Sequence, residues 1–381
     1  MNLETLRNDI DAIDHQMVAL LQDRLAVVAK IADVKNQEGL PIADRKREME
    51  KLAQLTAAVS PELAQYVHSL YELIFEQSRA HQSSLLKNHS PLYQEIQTAL
   101  SSTPPLFPPS ASVACQGVEG AYSQLAAGRL FQRPSISYFK TFEGVFSAIN
   151  SGFCRYGVLP LENSTAGSVT KIYDLMMKYD FKIVRSLRLK VDHSLLTLPG
   201  VKKEEIREII SHEQALSQCA GFLESLGPSV TITQVENTAA AAEAVKAANR
   251  RDVAAIASHR CAKLYQLDCL ESDIQDRSNN YTRFICISKN LEIYPGADRT
   301  SIMLVLPHTP GSLHRALSRF AALGINLNKL ESRPLPERDF EFMFYFDLET
   351  SVYSEEFSTL MDSMRELCED FRYLGSYIEV I

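Results

Sequence analysis

Residues 160–169 read Pro160-Leu161-Glu162-Asn163-Ser164-Thr165-Ala166-Gly167-Ser168-Val169, a polar turn between two apolar segments. Tyr156–Leu159 precede it, and Val169, Ile172, Tyr173, Met176 and Met177 follow at helical spacing. The order is strand, polar turn, helix. In an alternating α/β chain such a turn lies at the carboxyl end of a parallel strand, where ligands bind. Asn163, Ser164, Thr165, Gly167 and Ser168 offer donors to an anion at a helix N-terminus. An ordinary capped turn has the same composition, so the flanking chain has to decide.

On both sides short β-like runs alternate with helical ones. Strands are expected at Val113–Cys115, Ile136–Phe139, Gly157–Leu161, Ile183–Val184, Leu195–Leu198, Ile209–Ser211, Thr231–Val235, Val253–Ile256 and Phe284–Ile287. This describes an α/β domain of parallel-sheet character over residues 112–290, built as one lobe or as two lobes around a cleft. Its other polar turns include Gly117–Ser123, Ser211–Ala215, Glu236–Ala239, Ala257–His259 and, just before a strand, Asn280–Phe284. The glycine turn lacks G-x-G-x-x-G and a G-K-[ST] ending, so no nucleotide cofactor is expected.

Four of these stretches, GVEGAYS, PLENSTAGSV, SHEQALSQC and NYTRF, resemble prephenate dehydratases across residues 112–289. Val118 stands where the common family form has proline. The resemblance implies a two-lobed domain in which Thr282 is closest to catalysis. It places Arg283, Glu162, Asn163, Ser164, Tyr122 and Ser123 around the substrate. Prephenate loses carbon dioxide and its ring hydroxyl together, so the site must hold two carboxylates and assist the hydroxyl. A threonine hydroxyl is a poor acid and suits orientation better. Glu162, His212 and His259 are the candidate proton donors, although structural histidines are the commoner case.

Upstream, Pro104, Pro105, Pro108 and Pro109 lie within six residues. They can enter neither helix nor sheet, and residues 89–111 are expected to be an extended linker. Before it, Leu3, Leu6, Ile10, Ile13, Met17, Leu20, Val27, Ile31 and Val34 mark one helix of more than 30 residues, ending at Gly39 and Pro41. Such a helix needs a partner along its length. Further helices are expected from about Ala43 and from Ser60-Pro61-Glu62. Arg24 interrupts the apolar stripe, and Lys35, eleven residues on, returns to nearly the same face. An inward cation must meet an anion. Either these groups pair with one another or they line a pocket for an anionic ligand.

The run from Leu6-Arg7 through Asp23-Arg24, Val34-Lys35, PIADRKRE (residues 41–48), Glu76-Gln77-Ser78 and Gln82 resembles the all-helical chorismate mutases across residues 1–88. The resemblance implies that Arg7, Arg24 and Arg47 bind carboxylates and that Lys35 and Gln82 meet the ether oxygen. Asp44 and Glu48 would address the ring hydroxyl, with Ser78 nearby. The reaction is pericyclic, so it needs conformer selection and charge stabilisation rather than a base. Arg7 and Arg24 are 17 residues apart, or about 25 Å along a helix and about 100° around it. One small substrate cannot touch both on one helix, so Arg7 is expected from a second chain in an intertwined dimer.

After Arg299 the order is strand, helix, strand, strand, helix, strand: Ser301–Leu306, Gly311–Leu323, Ile325–Leu330, Phe340–Leu348, Glu355–Cys368 and Tyr373–Val380. This is the ferredoxin-like split motif over residues 299–381, an α+β unit. Gly311, Ser312 and Leu313 at the first helix start, and Glu331, Ser332 and Arg333 after the second strand, resemble the ACT-type amino-acid sensors of prephenate dehydratases. The resemblance implies phenylalanine bound between two copies.

The seven cysteines are scattered with no C-x-x-C pair, the start MNLETLRNDIDAIDHQ has no signal core, and no run reaches membrane length. Together they suggest a cytoplasmic protein. A net charge of −8 gives no general attraction to nucleic acid or anionic membrane. The expectation is a multidomain, phenylalanine-inhibited enzyme converting chorismate to prephenate and then phenylpyruvate. It would need no cofactor or metal and would be a homodimer or larger. A mutase fused to a dehydrogenase would need a dinucleotide loop that does not occur. A non-catalytic amino-acid-responsive binding protein is the alternative, and Arg24 and the Thr-Arg-Phe run speak against it.

Overall fold

A computed structural model of the chain describes residues 2–85, 91–336, 338 and 341–381. Helix α1 (Leu3–Glu38) is uninterrupted and stops at Gly39, whose φ of 65° lies in the left-handed region. Helices α2 (Arg45–Ala57) and α3 (Pro61–Leu85) both pack against it or each other. On α1 only Val28 and Ala32 are buried. The nine stripe residues from Leu3 to Val34 are 39–68% exposed, so the apolar stripe faces away from the chain's own helices.

The expected linker 89–111 is not extended throughout. Residues 91–102 form α4 (Pro91–Ser102), with Ile96 and Ala99 buried. The prolines begin only at Pro104, and Leu92, Ile96, Ala99 and Leu100 carry a helical spacing that packs on the C-terminal helices. Asn88, where the composition changes, lies outside the described residues, as does Phe340.

The central region opens with β1 (Ser112–Gln116), α5 (Tyr122–Leu130), β2 (Ser135–Phe139), α6 (Phe142–Asn150), β3 (Tyr156–Asn163), β4 (Gly167–Ser168), α7 (Thr170–Lys178) and β5 (Lys182–Lys190). A second lobe follows, with β6 (Ser194–Thr197), β7 (Glu208–Ser211), α8 (Glu213–Gln218), α9 (Ala220–Ser225), β8 (Thr231–Gln234), α10 (Thr238–Ala248), β9 (Val253–Ala257), α11 (His259–Tyr265) and β10 (Asp268–Glu271). The chain then returns to the first lobe in β11 (Tyr281–Ser288). The domain is therefore two-lobed. Its sheets are mixed rather than parallel: β1 runs parallel to β2 and β3, but β11 is antiparallel to both β3 and β5, and β6 is antiparallel to β9 and β10. A strand that returns directly from the other lobe has no crossover helix to reverse it.

The C-terminal region holds β12 (Arg299–Val305), α12 (Ser312–Ala322), β13 (Asn326–Pro334), β14 (Phe342–Glu349), α13 (Glu355–Leu367) and β15 (Asp370–Tyr377), with sheet order β13-β14-β12-β15. The expected last strand, 373–380, is split. Its end, β16 (Glu379–Val380), leaves this sheet and pairs with β5 of the first lobe. The backbones come so close there that a Cβ on Gly375 would overlap the carbonyl of Ile183.

Strand alternation gives this sheet two packed faces. Ile302, Leu304, Phe346 and Leu348 join the core with α4, α12 and α13. Met303, Val305, Met343 and Tyr345 instead join Phe146, Leu159 and Tyr173 of the first lobe. Helix α4 thus rivets the approach to the linker onto the C-terminal core. Ile96→Ala should lower stability by about 2–4 kcal/mol in denaturant unfolding, whereas Leu106→Ala, at 79% exposure, should lie within about 0.5 kcal/mol of the parent.

Candidate active sites

In the head, half-buried Arg24 and Lys35 share one face of α1, as the eleven-residue spacing requires. Arg24 donates to Ser78 Oγ and lies over the Phe75 ring, 5.8 Å from its centre. Ser78 donates to Ile74 O at 2.6 Å, and Gln82 Nε2 reaches Ser78 O at 3.4 Å, leaving Gln82 Oε1 buried without a partner among the described residues. Lys35 Nζ donates to Ile42 O at 2.5 Å, just ahead of α2. Asp44 is the N-cap of α2 and accepts from Arg47 N at 3.0 Å, so its carboxylate fixes where Arg47 starts. Arg47 and Arg7 are exposed, and Arg7 stands far along α1 from the others.

Glu48 is held elsewhere. Arg79 grips both its oxygens, at 2.6 and 2.5 Å. The sequence reading missed Arg79, although it directly follows Ser78; nothing in the chain pattern pairs residues 31 apart.

In the central region a cleft of about 530 Å³ opens between the lobes. The starts of four helices line it: Ala121–Ser123 at α5, Val169–Lys171 at α7, His212–Ala215 at α8 and Asn237–Thr238 at α10. All four are polar turns at the carboxyl ends of strands; α8 and α10 are capped by His212 and Asn237, while α5 and α7 have no side-chain cap and turn their first N–H groups toward the cleft. Asn163 and Thr282 are paired across β3 and β11 and face into this cleft. Asn163 Nδ2 donates to Thr282 Oγ1 at 2.9 Å and to Asn280 Oδ1 at 2.8 Å, while its Oδ1 accepts from the backbone of Thr165 and Ala166 at 3.0 Å. With Thr282 Oγ1 already accepting, its proton remains for donation.

Tyr122, half-buried, and Ser123, buried, also line the cleft. Tyr122 donates to Asp192 O at 2.5 Å, and burial, aided by the nearby Asp192, pushes its pKa well up, so the phenol stays neutral. Ser164 does not line the cleft. Its hydroxyl bridges Asn279 O at 2.8 Å and Tyr281 N at 2.9 Å, fastening the turn to β11.

Glu162 and Arg283 correct the expectation most sharply. They are paired with each other one step from Asn163 and Thr282, so the pleat turns both away from the cleft. Arg283 is buried against Asp347, with Glu379 at 3.0 Å and Glu162 at 3.6 Å, and Glu162 meets Lys329 at 2.8 Å. Neither lines the cleft. Glu162 is thereby removed as a proton donor in this arrangement, and His259, exposed at the start of α11, stands outside the cleft too. His212 does line it, but its Nδ1 accepts from Gln214 N at 3.2 Å as a helix cap.

His193, absent from the sequence-derived set, is 2% exposed in the cleft wall. Its Nε2 lies 2.9 Å from Gln218 Oε1, and Gln218 Nε2 donates to Thr165 Oγ1 at 2.8 Å. The network links the second lobe to the turn at Asn163. His193 sits in no motif, so no sequence signal marked it. Lys171, Gln116 and Gln218 are further cleft residues outside that set, Glu236 also lines it, and no arginine does among the described residues.

Of the remaining candidates, Gly311 (φ 81°) precedes α12, Ser312 Oγ pairs with Thr309 Oγ1 at 2.8 Å and Arg315 at 2.9 Å, and Leu313 packs on the C-terminal core. Glu331 and Arg333 lie on edge strand β13 and face the first lobe: Ser168 donates to Glu331 at 2.6 Å, and Arg333 forks onto Asp174 at 2.9 and 3.3 Å. Ser332, between them, is exposed.

Burial holds the pKa of His193 below its ordinary 6.5. The unfolded chain therefore binds this proton more readily, and stability from His193 is present above about 6.5 and lost as pH falls below it. Thermal scans should show the transition dropping between neutral and mildly acid pH, and His193→Asn should flatten that part of the profile.

Residues 113–292 match the prephenate dehydratase family and residues 6–83 the type II chorismate mutase family. A bifunctional chorismate mutase/prephenate dehydratase of Enterobacter agglomerans is 30% identical over 98% of this chain and 95% of its own length. Arogenate dehydratase/prephenate dehydratase 6 of Arabidopsis thaliana is 39% identical over 76% of this chain and 74% of its own. Among solved structures, a prephenate dehydratase from Arthrobacter aurescens in complex with L-Phe superposes with a TM-score of 0.65 at 25% identity, covering 70% of this chain and 90% of that one. A quorum-quenching acylase, GqqA, gives 0.64 at 30% identity over 70% of this chain and 97% of that one.

Proposed function

We propose, for a chain that belongs to the bifunctional chorismate mutase/prephenate dehydratase family, a division of labour between its parts. The helical head converts chorismate to prephenate, and the cleft converts prephenate to phenylpyruvate. In the head the substrate is a dianion, and Arg24, Lys35 and Arg47 supply cations to its carboxylates and breaking ether oxygen. Gln82, next to Ser78, holds its amide nitrogen to Ser78 O only at 3.4 Å, and that nitrogen's second N–H is the donor for the ether oxygen. Glu48 reaches the ring hydroxyl only from within its Arg79 fork.

The mutase is a dimer in this reading. Nine exposed apolar residues on one helix face call for a second copy, and that copy would bring the Arg7 that this chain's α1 cannot present.

The observation that carries the dehydratase assignment is the convergence of four helix starts on Thr282. With Lys171 they hold two carboxylates in a cleft that has no arginine among the described residues, so a net charge of −8 is no obstacle. As the carbon–carbon bond to the departing carboxylate breaks, its electron pair enters the ring. The carbon–oxygen bond then breaks, and the hydroxide takes up a proton from solvent and leaves as water. Thr282, fixed by Asn163, donates its hydrogen bond to that oxygen.

The C-terminal region is a ferredoxin-like, ACT-type phenylalanine sensor. Its ligand is shared by Gly311–Leu313 of one copy and Glu331–Arg333 of another. Because Glu331 and Arg333 hold Ser168 and Asp174 at α7, phenylalanine drawing on them disturbs the wall of the cleft. The scattered free cysteines suit a cytoplasmic enzyme.

Purified protein given chorismate and no cofactor should form phenylpyruvate, and phenylalanine should suppress it. Thr282→Ala should let prephenate accumulate, with dehydratase kcat down about 10²–10³-fold; unchanged turnover would sink the assignment of Thr282. Arg7→Ala and Arg24→Ala chains should each lack mutase activity yet regain part of it when mixed and reassembled, since one mixed dimer has an intact site. Failure to complement would place both arginines in one chain's site.

A further inference from the structure

Arg283 stands directly behind Thr282 and is held largely by groups outside the matched dehydratase span. Its side chain is 6% exposed, and that of Asp347 on β14 is 1% exposed. Asp347 accepts in addition from Ser301 Oγ at 3.1 Å and Tyr377 OH at 3.2 Å, and Tyr377 OH accepts from Arg283 Nη2 at 3.1 Å. Each of the other two carboxylates has a cation besides Arg283: Glu379 has Arg188 at 2.7 Å and Glu162 has Lys329 at 2.8 Å. Among the described residues, Arg283 is the cation on Asp347.

The β3 side of the pairing is irregular at this point. Pairing of β11 with β3 runs Thr282↔Asn163 and Arg283↔Glu162, then slips by one residue at Phe284↔Pro160. The extra residue is Leu161 on β3, whereas β11 keeps an unbroken register with β5 from Tyr281 to Cys286, so the bulge loosens β3 beside Thr282 and leaves β11 straight. Asn163 and the β5 ladder hold Thr282 from the side, and the grip on Arg283 holds it from behind. A misplacement of about 1 Å can cost about a hundredfold in rate.

We propose that Asp347, in the C-terminal region, is a positioning residue of the dehydratase: through Arg283 it sets the direction of Thr282 in the cleft. The dehydratase site then extends past residue 292 into the C-terminal sheet. The proposal rests on the assignment of Thr282, which the Thr282→Ala measurement tests by itself.

Two variants of the full chain test it, with prephenate and chorismate assayed separately. Asp347→Asn should lower dehydratase kcat about tenfold, shift KM less than about twofold and leave mutase activity unchanged. Arg283→Met combined with Asp347→Leu removes the buried pair as a unit, an exchange that buried ion pairs often tolerate. Glu379 and Glu162 keep Arg188 and Lys329, so this variant should keep its thermal transition and show the same kcat loss. Normal dehydratase kcat in the folded double variant overturns the proposal. So does a double variant that does not fold, because the pair is then a requirement of the fold rather than of the direction of Thr282.

Discussion

The antiparallel pairing of β3 with β11 is the constraint on which the dehydratase half depends. Its register puts Asn163 opposite Thr282 and Glu162 opposite Arg283. One pair faces the cleft and the other faces the C-terminal sheet, because a strand sends neighbouring side chains to opposite sides. A shift of one residue would exchange chemistry for packing across the whole strand pair. Both short motifs therefore carry two duties in adjacent letters.

That double use explains what the sequence could and could not convey. The three head helices, the nine strands and the lobes' polar turns were legible because each is a local pattern of period 3.6 or 2. The motifs carrying Thr282, Asn163, Tyr122 and Ser123 come together in the lining of one cleft. Glu162 and Arg283 were drawn into the substrate set because a motif is matched as a block and carries no record of faces. Helix α4 was hidden by the prolines after it, which dominate the composition of residues 89–111. His193 and Arg79 act through partners far away in sequence, Gln218 and Glu48, and no local signal encodes such pairs.

The domain borders are likewise physical rather than compositional. A four-stranded sheet with helices on one side normally leaves its other face to water or to a partner. Here that face is covered by the first lobe, through Met303, Val305, Met343 and Tyr345 against Phe146, Leu159 and Tyr173. The charged groups that rim the contact, Lys329, Glu331 and Arg333, recur every second residue on β13 and meet Glu162, Ser168 and Asp174. A change in the C-terminal sheet is thus felt along the back of the turn that bears the cleft.

Strand β16 has a consequence for synthesis. It closes the edge of β5, yet Glu379 is 193 residues beyond the Ser186 it faces. A ribosome delivers β5 long before its cover, and an open edge strand is a template for pairing with other nascent chains. β5 carries its own protection: Lys182, Arg185, Arg188 and Lys190 place four cations on nine residues, and like charges repel a second copy of the same edge. When the last residues arrive, Glu379 takes up Arg188 and the guard becomes part of the sheet.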